Sequence, residues 1–359
     1  MKKVLTLVFA LAYFNLFSQN VTLKQVLVLN EGKFDFATGT VLVPPSLGTY
    51  NPISKHYSTI ENIVGARFAS DIVIDGNFIY TACDDKIVKF NKKTFAKIGT
   101  LPVLGVRKLA VWNDQLLVTR GDFGVTLSAY FQVFDKNSFD FLYEIKPSDG
   151  LEFSTEGVVV FNDSAFVAVN NAFEFPNYKG LIGVIDLKNK NFVREINLGA
   201  DGINPDYMTL AGTTIFTLNN KDYSEASVTK YDIMTGISVT KNLQAGGGCG
   251  TSFLANDAAM YYQVFGENSL KKFDIDQQTT TATLPIGKPI YGTAFETKNQ
   301  KIYAGVTDFT TFGKVFIYDL AGNAIDSFNT GIAPGNIVFD YEILSSNNEV
   351  LDNSSVNRC

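Results

Sequence analysis

The sequence predicts an all-β fold: a seven-bladed β-propeller of four-stranded antiparallel blades, its ring closed by N- and C-terminal strands in one blade. Three observations carry this. A short unit of two residues, usually apolar in the second place, followed by Asp or Asn recurs as Lys89-Phe90-Asn91, Val133-Phe134-Asp135, Val184-Ile185-Asp186, Lys230-Tyr231-Asp232, Lys272-Phe273-Asp274 and Ile317-Tyr318-Asp319. Successive copies lie 44, 51, 46, 42 and 45 residues apart, a period that marks a repeat architecture. Between copies run short segments rich in Val, Ile, Thr, Tyr and Phe, punctuated by Gly, Asn and Asp, and no amphipathic helix pattern follows the N-terminal leader.

The first repeat, residues 70–101, shows the order. Asp71 to Ile74 reads as a strand, and Asp75-Gly76-Asn77 as a tight hairpin turn. Phe78 to Cys83, Lys86 to Phe90 and Phe95 to Leu101 are three further strands. The next blades span 108–146, 157–198, 207–243, 251–286 and 292–330. Their first turns fall at Asn113-Asp114, Asn162-Asp163, Gly212-Thr213, Asn256-Asp257 and Asn299-Gln300. The ends supply the seventh blade. Val26 to Leu29, Thr40 to Val43 and Tyr57 to Ile60 read as its second, third and fourth strands, and Asn336 to Asp340 as its first. Such closure removes the open sheet edge that would otherwise invite aggregation.

Residues 1–18 read as a signal peptide: Lys2 and Lys3, then a mostly apolar run to Phe17, with cleavage near Ser18. Residues 19–341 form the propeller. Residues 342–359 are polar and read as a disordered C-terminal tail. No later stretch is apolar for long enough to span a bilayer as a helix. The expected location is the periplasm, the outer-membrane surface or the medium.

Composition excludes several partners. Without Lys2 and Lys3, 28 basic residues face 36 acidic ones, a net charge of −8 that disfavours nucleic acid and anionic membranes. Cys83, Cys249 and Cys359 are too few and of the wrong parity for a disulfide framework, and read as small buried residues. His56 is the one histidine, so histidine-clustered metal sites are excluded, and no G-x-S-x-G turn accompanies it. The Ala245-Gly246-Gly247-Gly248-Cys249-Gly250 run has no helix after it and is not a phosphate loop. No cofactor and no metal is expected, and the chain reads as a monomer that is not an enzyme.

The repeat pattern resembles the exported seven-bladed propellers of the surface-layer, YVTN-type family, with Ile79-Tyr80-Thr81-Ala82 as the nearest form of the tetrapeptide. The opening Val26-Leu27-Val28-Leu29-Asn30-Glu31-Gly32, with Phe34 and Gly39-Thr40-Val41, is similar to a narrower group of Bacteroidetes outer-membrane propellers. That group includes proteins that capture cobalamin for a transporter. The resemblance implies ligand capture at the cell surface. The lipid-anchor cysteine typical of the capture proteins is absent here.

In a propeller the loops joining second to third strands share one face with those joining blades. Here the former are mostly long: 30–40, 120–129, 170–180, 219–227, 266–268 and 307–313. The turns of the opposite face are mostly two to five residues. Function collects on long loops held by a rigid scaffold. The candidate ligand-binding residues are therefore Asn30, Glu31, Phe34, Arg120, Phe123, Asn170, Asn171, Phe173, Tyr178, Asn219, Tyr223, Phe265, Phe309 and Phe312 on these loops. Arg67, Arg107, Tyr207 and Tyr291 join them at the starts of the innermost strands. Aromatic faces with amide and carboxylate edges suit a planar or sugar-like ligand, or a partner protein. Three functions stay open: capture of a small ligand, corrinoid-like or another nutrient, for a transporter; interaction with an outer-membrane protein or a polysaccharide; and, third, a lyase or lactonase on this scaffold.

Overall fold

A computed structural model describes residues 20–223, 225–246, 250–256, 259–264, 266–274, 276–344 and 350–351. It forms seven blades in a ring. Six are consecutive four-stranded sheets, residues 71–102, 106–145, 155–197, 205–246, 251–284 and 292–329, here blades 1 to 6. Within each, neighbouring strands pair antiparallel in sequence order.

The closing blade takes strands Pro334–Leu344, Asn20–Asn30, Ser46–Asn51 and His56–Asn62, in that order outward. Val26 faces Phe339 and Val28 faces Ile337, so the two ends of the chain share one sheet. The pairing continues to Asn20 opposite Leu344, into the residues 342–344 that the sequence assigned to the tail, and Val350–Leu351 adds a short fifth strand there.

The third strand of this blade corrects the sequence reading. Thr40–Val43 does not join the blade; it pairs with Lys33–Asp35 in a separate hairpin on the loop face. Ser46–Asn51 takes the place instead. It ends in Tyr50-Asn51, a seventh copy of the repeated unit. Asn51 Oδ1 accepts the backbone N–H of Ile53 at 2.8 Å and of Ser54 at 3.0 Å.

That bond explains the repeat. Asn91 accepts from Lys93 and Thr94 at 2.9 Å each, and Asp135 from Asn137 and Ser138 at 2.8 Å each. Asp186, Asp232 and Asp274 accept from the N–H three residues on, and Asp319 from those of Ala321 and Asn323. The side chain thereby caps the turn into the outermost strand. In six of the seven turns the residue four positions on is left-handed: Lys55, Phe95, Phe139, Lys190, Gly236 and Gln278. The acid or amide is scaffold, on the face away from the long loops.

Between the capped turns the strands bury their apolar sides against the neighbouring blade. Seven clusters of buried side chains form among the described residues, one at each blade-to-blade seam. Tyr80 and Ile87 of blade 1 and Val103 just after it, for example, meet Leu109, Leu116 and Phe134 of blade 2. Seven seams built alike make a rigid ring, and the loop face rests on it. Cys83 is buried in the seam between the closing blade and blade 1, with a free thiol; Cys249 and Cys359 lie outside the described residues.

Candidate functional site

The innermost strands begin at the mouth of the central channel. Their first residues, with Glu31 just past the second strand of the closing blade, bring together six charged groups from five blades. Glu31 comes from the closing blade, Asp71 from blade 1, Arg107 and Lys108 from blade 2, Glu156 from blade 3 and Asp206 from blade 4. Arg107 grips Glu156 in a two-pronged pair, Nε to Oε2 at 2.8 Å and Nη2 to Oε1 at 3.0 Å, and Glu156 is buried. Lys108 Nζ donates to the Ser70 carbonyl at 2.6 Å and lies 5.5 Å from the centre of the Tyr207 ring. Asp71 Oδ2 accepts the N–H of Leu109 at 2.7 Å, and Asp206 Oδ2 accepts from Asn220 Nδ2 at 3.0 Å. Opposite, the Tyr291 hydroxyl donates to Glu31 Oε1.

Four carboxyl groups thus face two cations, and burial acts on the acidity of three of them, Glu31, Asp71 and Asp206. Burial raises Glu31; its bond from Tyr291 and the charges of Arg107 and Lys108 offset this in part. Burial raises Asp71, against Lys108. Burial and then the Glu156 charge lift Asp206 to about 6. Burial works against the Arg107 charge too, but Glu156 outweighs it and the guanidinium stays firmly ionised. Near neutral pH the mouth therefore has an unmet demand for protons, hydrogen-bond donors or positive charge.

The loops lean over this cluster. Phe173, from the 170–180 loop of blade 3, packs against Gly121, and its ring centre sits 5.2 Å from the Arg107 guanidinium. Gly121 permits this approach, since a Cβ there would meet the ring at 2.7 Å. Phe309 packs edge-on against Tyr291 at 4.9 Å, and Tyr178 against Tyr223 at 5.6 Å and Phe175 at 5.9 Å. Around them Phe36, Phe123, Phe175 and Phe312 are each more than three-quarters exposed.

The sequence candidates divide into three groups. Glu31, Arg107, Tyr207 and Tyr291 meet at the mouth, with Phe173 and Phe309 laid over it. Phe34, Phe123, Tyr178, Tyr223 and Phe312 belong to the outer loops; Phe34 packs on Phe36 at 4.9 Å. Asn30, Arg120, Asn170, Asn171 and Asn219 are buried, and their hydrogen bonds go to backbone groups and neighbouring hydroxyls. Arg120, for instance, donates to the carbonyls of Leu104 at 3.0 Å and Ala129 at 2.8 Å. These side chains pin the loops rather than project from them. Arg67 is a different case: it pairs with Asp84 and, at 3.0 Å, with Asp122, which takes up its charge between blades 1 and 2. Phe265 lies outside the described residues. Glu156 and Asp206, which the sequence also sets at first-strand starts around the mouth, join this cluster; Asp71 and Lys108 were missed, although each falls at the same position of its repeat.

No family model matches the chain, and no curated protein matches it. Solved structures do. Hydrazine synthase from Kuenenia stuttgartiensis aligns at 17% identity with a TM-score of 0.61, over 81% of this chain and 98% of that one. A functionally unknown protein from Desulfotomaculum acetoxidans aligns at 12% identity and a TM-score of 0.63, over 88% and 98%. Kluyveromyces lactis Hsv2 aligns at 10% and 0.52, over 79% and 96%. At these identities the likeness shows the propeller fold alone. It does correct one expectation. The chain was read as not an enzyme because catalytic motifs are missing, yet one structure it matches over nearly that whole chain is named for an enzyme. Missing motifs therefore do not exclude catalysis on this scaffold.

Proposed function

We propose that the protein is an exported propeller that binds a small polar ligand at the channel mouth, beneath the long loops. The observation that carries this is the cluster of Glu31, Asp71, Arg107, Lys108, Glu156 and Asp206, with two more carboxyl groups than cations and aromatic side chains over it. A ligand that brings amide or hydroxyl donors, or one positive charge, meets its demand. The N-terminal leader supports export. The resemblance to YVTN-type and Bacteroidetes outer-membrane propellers supports the finer form: capture of a corrinoid-like nutrient at the cell surface for delivery to a transporter.

Calorimetric titration of the mature protein with cobalamin tests that form. Binding tighter than about 10 μM is expected, weakened about tenfold or more in Glu31→Gln and Asp206→Asn. No heat with protein at roughly ten micromolar retires the corrinoid form. The exposed Phe36, Phe123, Phe175 and Phe312 favour a second reading, a protein partner seated on the loop face. A pull-down from outer membranes that recovers the same protein with the native loop face and with Phe123→Ser/Phe175→Ser speaks against it.

A further inference from the structure

A cavity lies away from the mouth, at the outer rim of the ring. It is an open groove of about 760 Å³ between the outermost strand of the closing blade, His56–Asn62, and that of blade 6, Ala324–Asn329. That volume is within the usual range of small-ligand sites. Its upper end is bounded by Phe312 and the residues 330–332 that lead into the closing blade. We propose that this groove is a binding site for a neutral oligosaccharide.

The chemistry of the walls selects the class. The one cation of the lining is Lys55, and its ammonium is already 2.8 Å from Asp326. An anionic ligand finds no unmatched charge. Thr59 and Asn62 on one wall and Asn329 on the other are exposed, and their side chains have no hydrogen-bond partner among the described residues. Each of these groups both donates and accepts, as does each hydroxyl of a sugar. A purely apolar ligand would strip water from them with no bond in return.

Aromatic rings complete the site. Phe312 is 79% exposed at the lip, a flat apolar face for the C–H side of a pyranose. In the floor, Tyr57 stacks on Phe328 with centroids 5.8 Å apart, and Phe328 stacks on Tyr50 at 3.9 Å. Burial raises the Tyr57 phenol, which stays a neutral hydroxyl; it receives Asn30 Nδ2 at 3.0 Å. Two glycines let the floor pack closely. A side chain at Gly48 would collide with the Tyr57 phenol, and one at Gly331 would meet Asn30 and Ser46 at 2.8 Å. Phe312, which the sequence placed on the long loops, thus also lines this groove.

The test is titration of the mature protein with maltohexaose, cellohexaose, mannohexaose and xylohexaose, with dextran sulfate as the anionic comparison. At least one neutral hexasaccharide is expected to bind with a Kd of about 10 μM to 1 mM. The same sugar should bind at least tenfold more weakly to Phe312→Ala and to Asn62→Ala/Asn329→Ala. These positions are exposed, and an unchanged melting temperature confirms that both variants fold. The proposal is overturned if no neutral hexasaccharide binds at about 1 mM, if dextran sulfate alone binds, or if both variants bind the sugar as the parent does. The cobalamin titration reads a different site, so either proposal can fail without the other.

Discussion

Replacing Asp340 with alanine should loosen the ring at its seam. Asp340 lies in the inner strand of the closing blade, and its Oδ1 is 2.8 Å from Nζ of Lys92 in the last turn of blade 1. The two side chains are 2% and 4% exposed. Oδ2 of Asp340 accepts from Gln25 Nε2 at 2.8 Å, and Gln25 accepts in turn from Thr49 Oγ1 at 3.0 Å. Removing one partner of a buried pair costs about 3–5 kcal/mol, because the other charge stays buried with less to compensate it. Gln25 keeps its bond to the Lys92 carbonyl at 3.3 Å, so little is added there. We expect a loss of about 4 kcal/mol, a large share of the roughly 5–15 kcal/mol that holds a protein folded. Urea unfolding followed by tryptophan fluorescence and far-ultraviolet dichroism measures it. The double change Lys92→Met/Asp340→Leu removes both charges and should recover most of the loss. A loss below about 1 kcal/mol for Asp340→Ala, or a double variant as unstable as the single, refutes the reasoning.

Two further outcomes follow from the geometry. Asp206 titrates near 6 when folded and near 3.8 when unfolded, so the folded state holds its proton more tightly. Its stabilising contribution is complete below about pH 4 and lost as the pH rises through 6; relative to Asp206→Asn, the parent should lose on the order of 2 kcal/mol between pH 4 and 7, and parallel stability curves for the two would sink this assignment. At the repeated turns, Asp135→Ala should cost about 1 kcal/mol while Asp135→Asn costs little, because Asn51 and Asn91 already fill that role. Equal melting temperatures for Asp135→Ala and the parent would show that the capping bonds contribute nothing.

The fold was legible because its signal repeats. One weak unit, read six times at a steady interval, outweighs any single strand assignment, and the structure places all six copies at the same turn. The seventh, Tyr50-Asn51, escaped for a tertiary reason. Its strand carries Gly48 and follows Pro44-Pro45, a poor local pattern beside the β-branched run Thr40–Val43. Gly48 is there because the Tyr57 ring lies across it, and nothing in the neighbouring residues announces that. The mouth was partly legible by the same periodic logic. Its pairings were not: Arg107 and Glu156 are 49 residues apart, and Glu31 and Tyr291 are 260 apart. Burial misled in the other direction. Asn30, Arg120 and Asn219 sit at the edges of long loops like ligand-binding residues, but the structure turns them inward to hold those loops.

The two faces of the ring follow opposite rules, and the contrast bears on where specificity resides. At the turn into the outermost strand, all seven blades place Asp or Asn, whose side chain accepts from backbone N–H groups two to four residues on. At the other end of the same blades, the second strand closes on Asn30, Cys83, Arg120, Val169, Asn219, Gln263 and Val306, with no shared chemistry. Ring closure needs blades that are alike, and a seven-fold equivalent mouth would present one charge seven times and repel itself. The mouth instead sets Arg107 and Lys108, both from blade 2, among carboxyl groups from four other blades. An asymmetric pattern of this kind can hold an asymmetric ligand in one orientation, which seven equivalent positions cannot do.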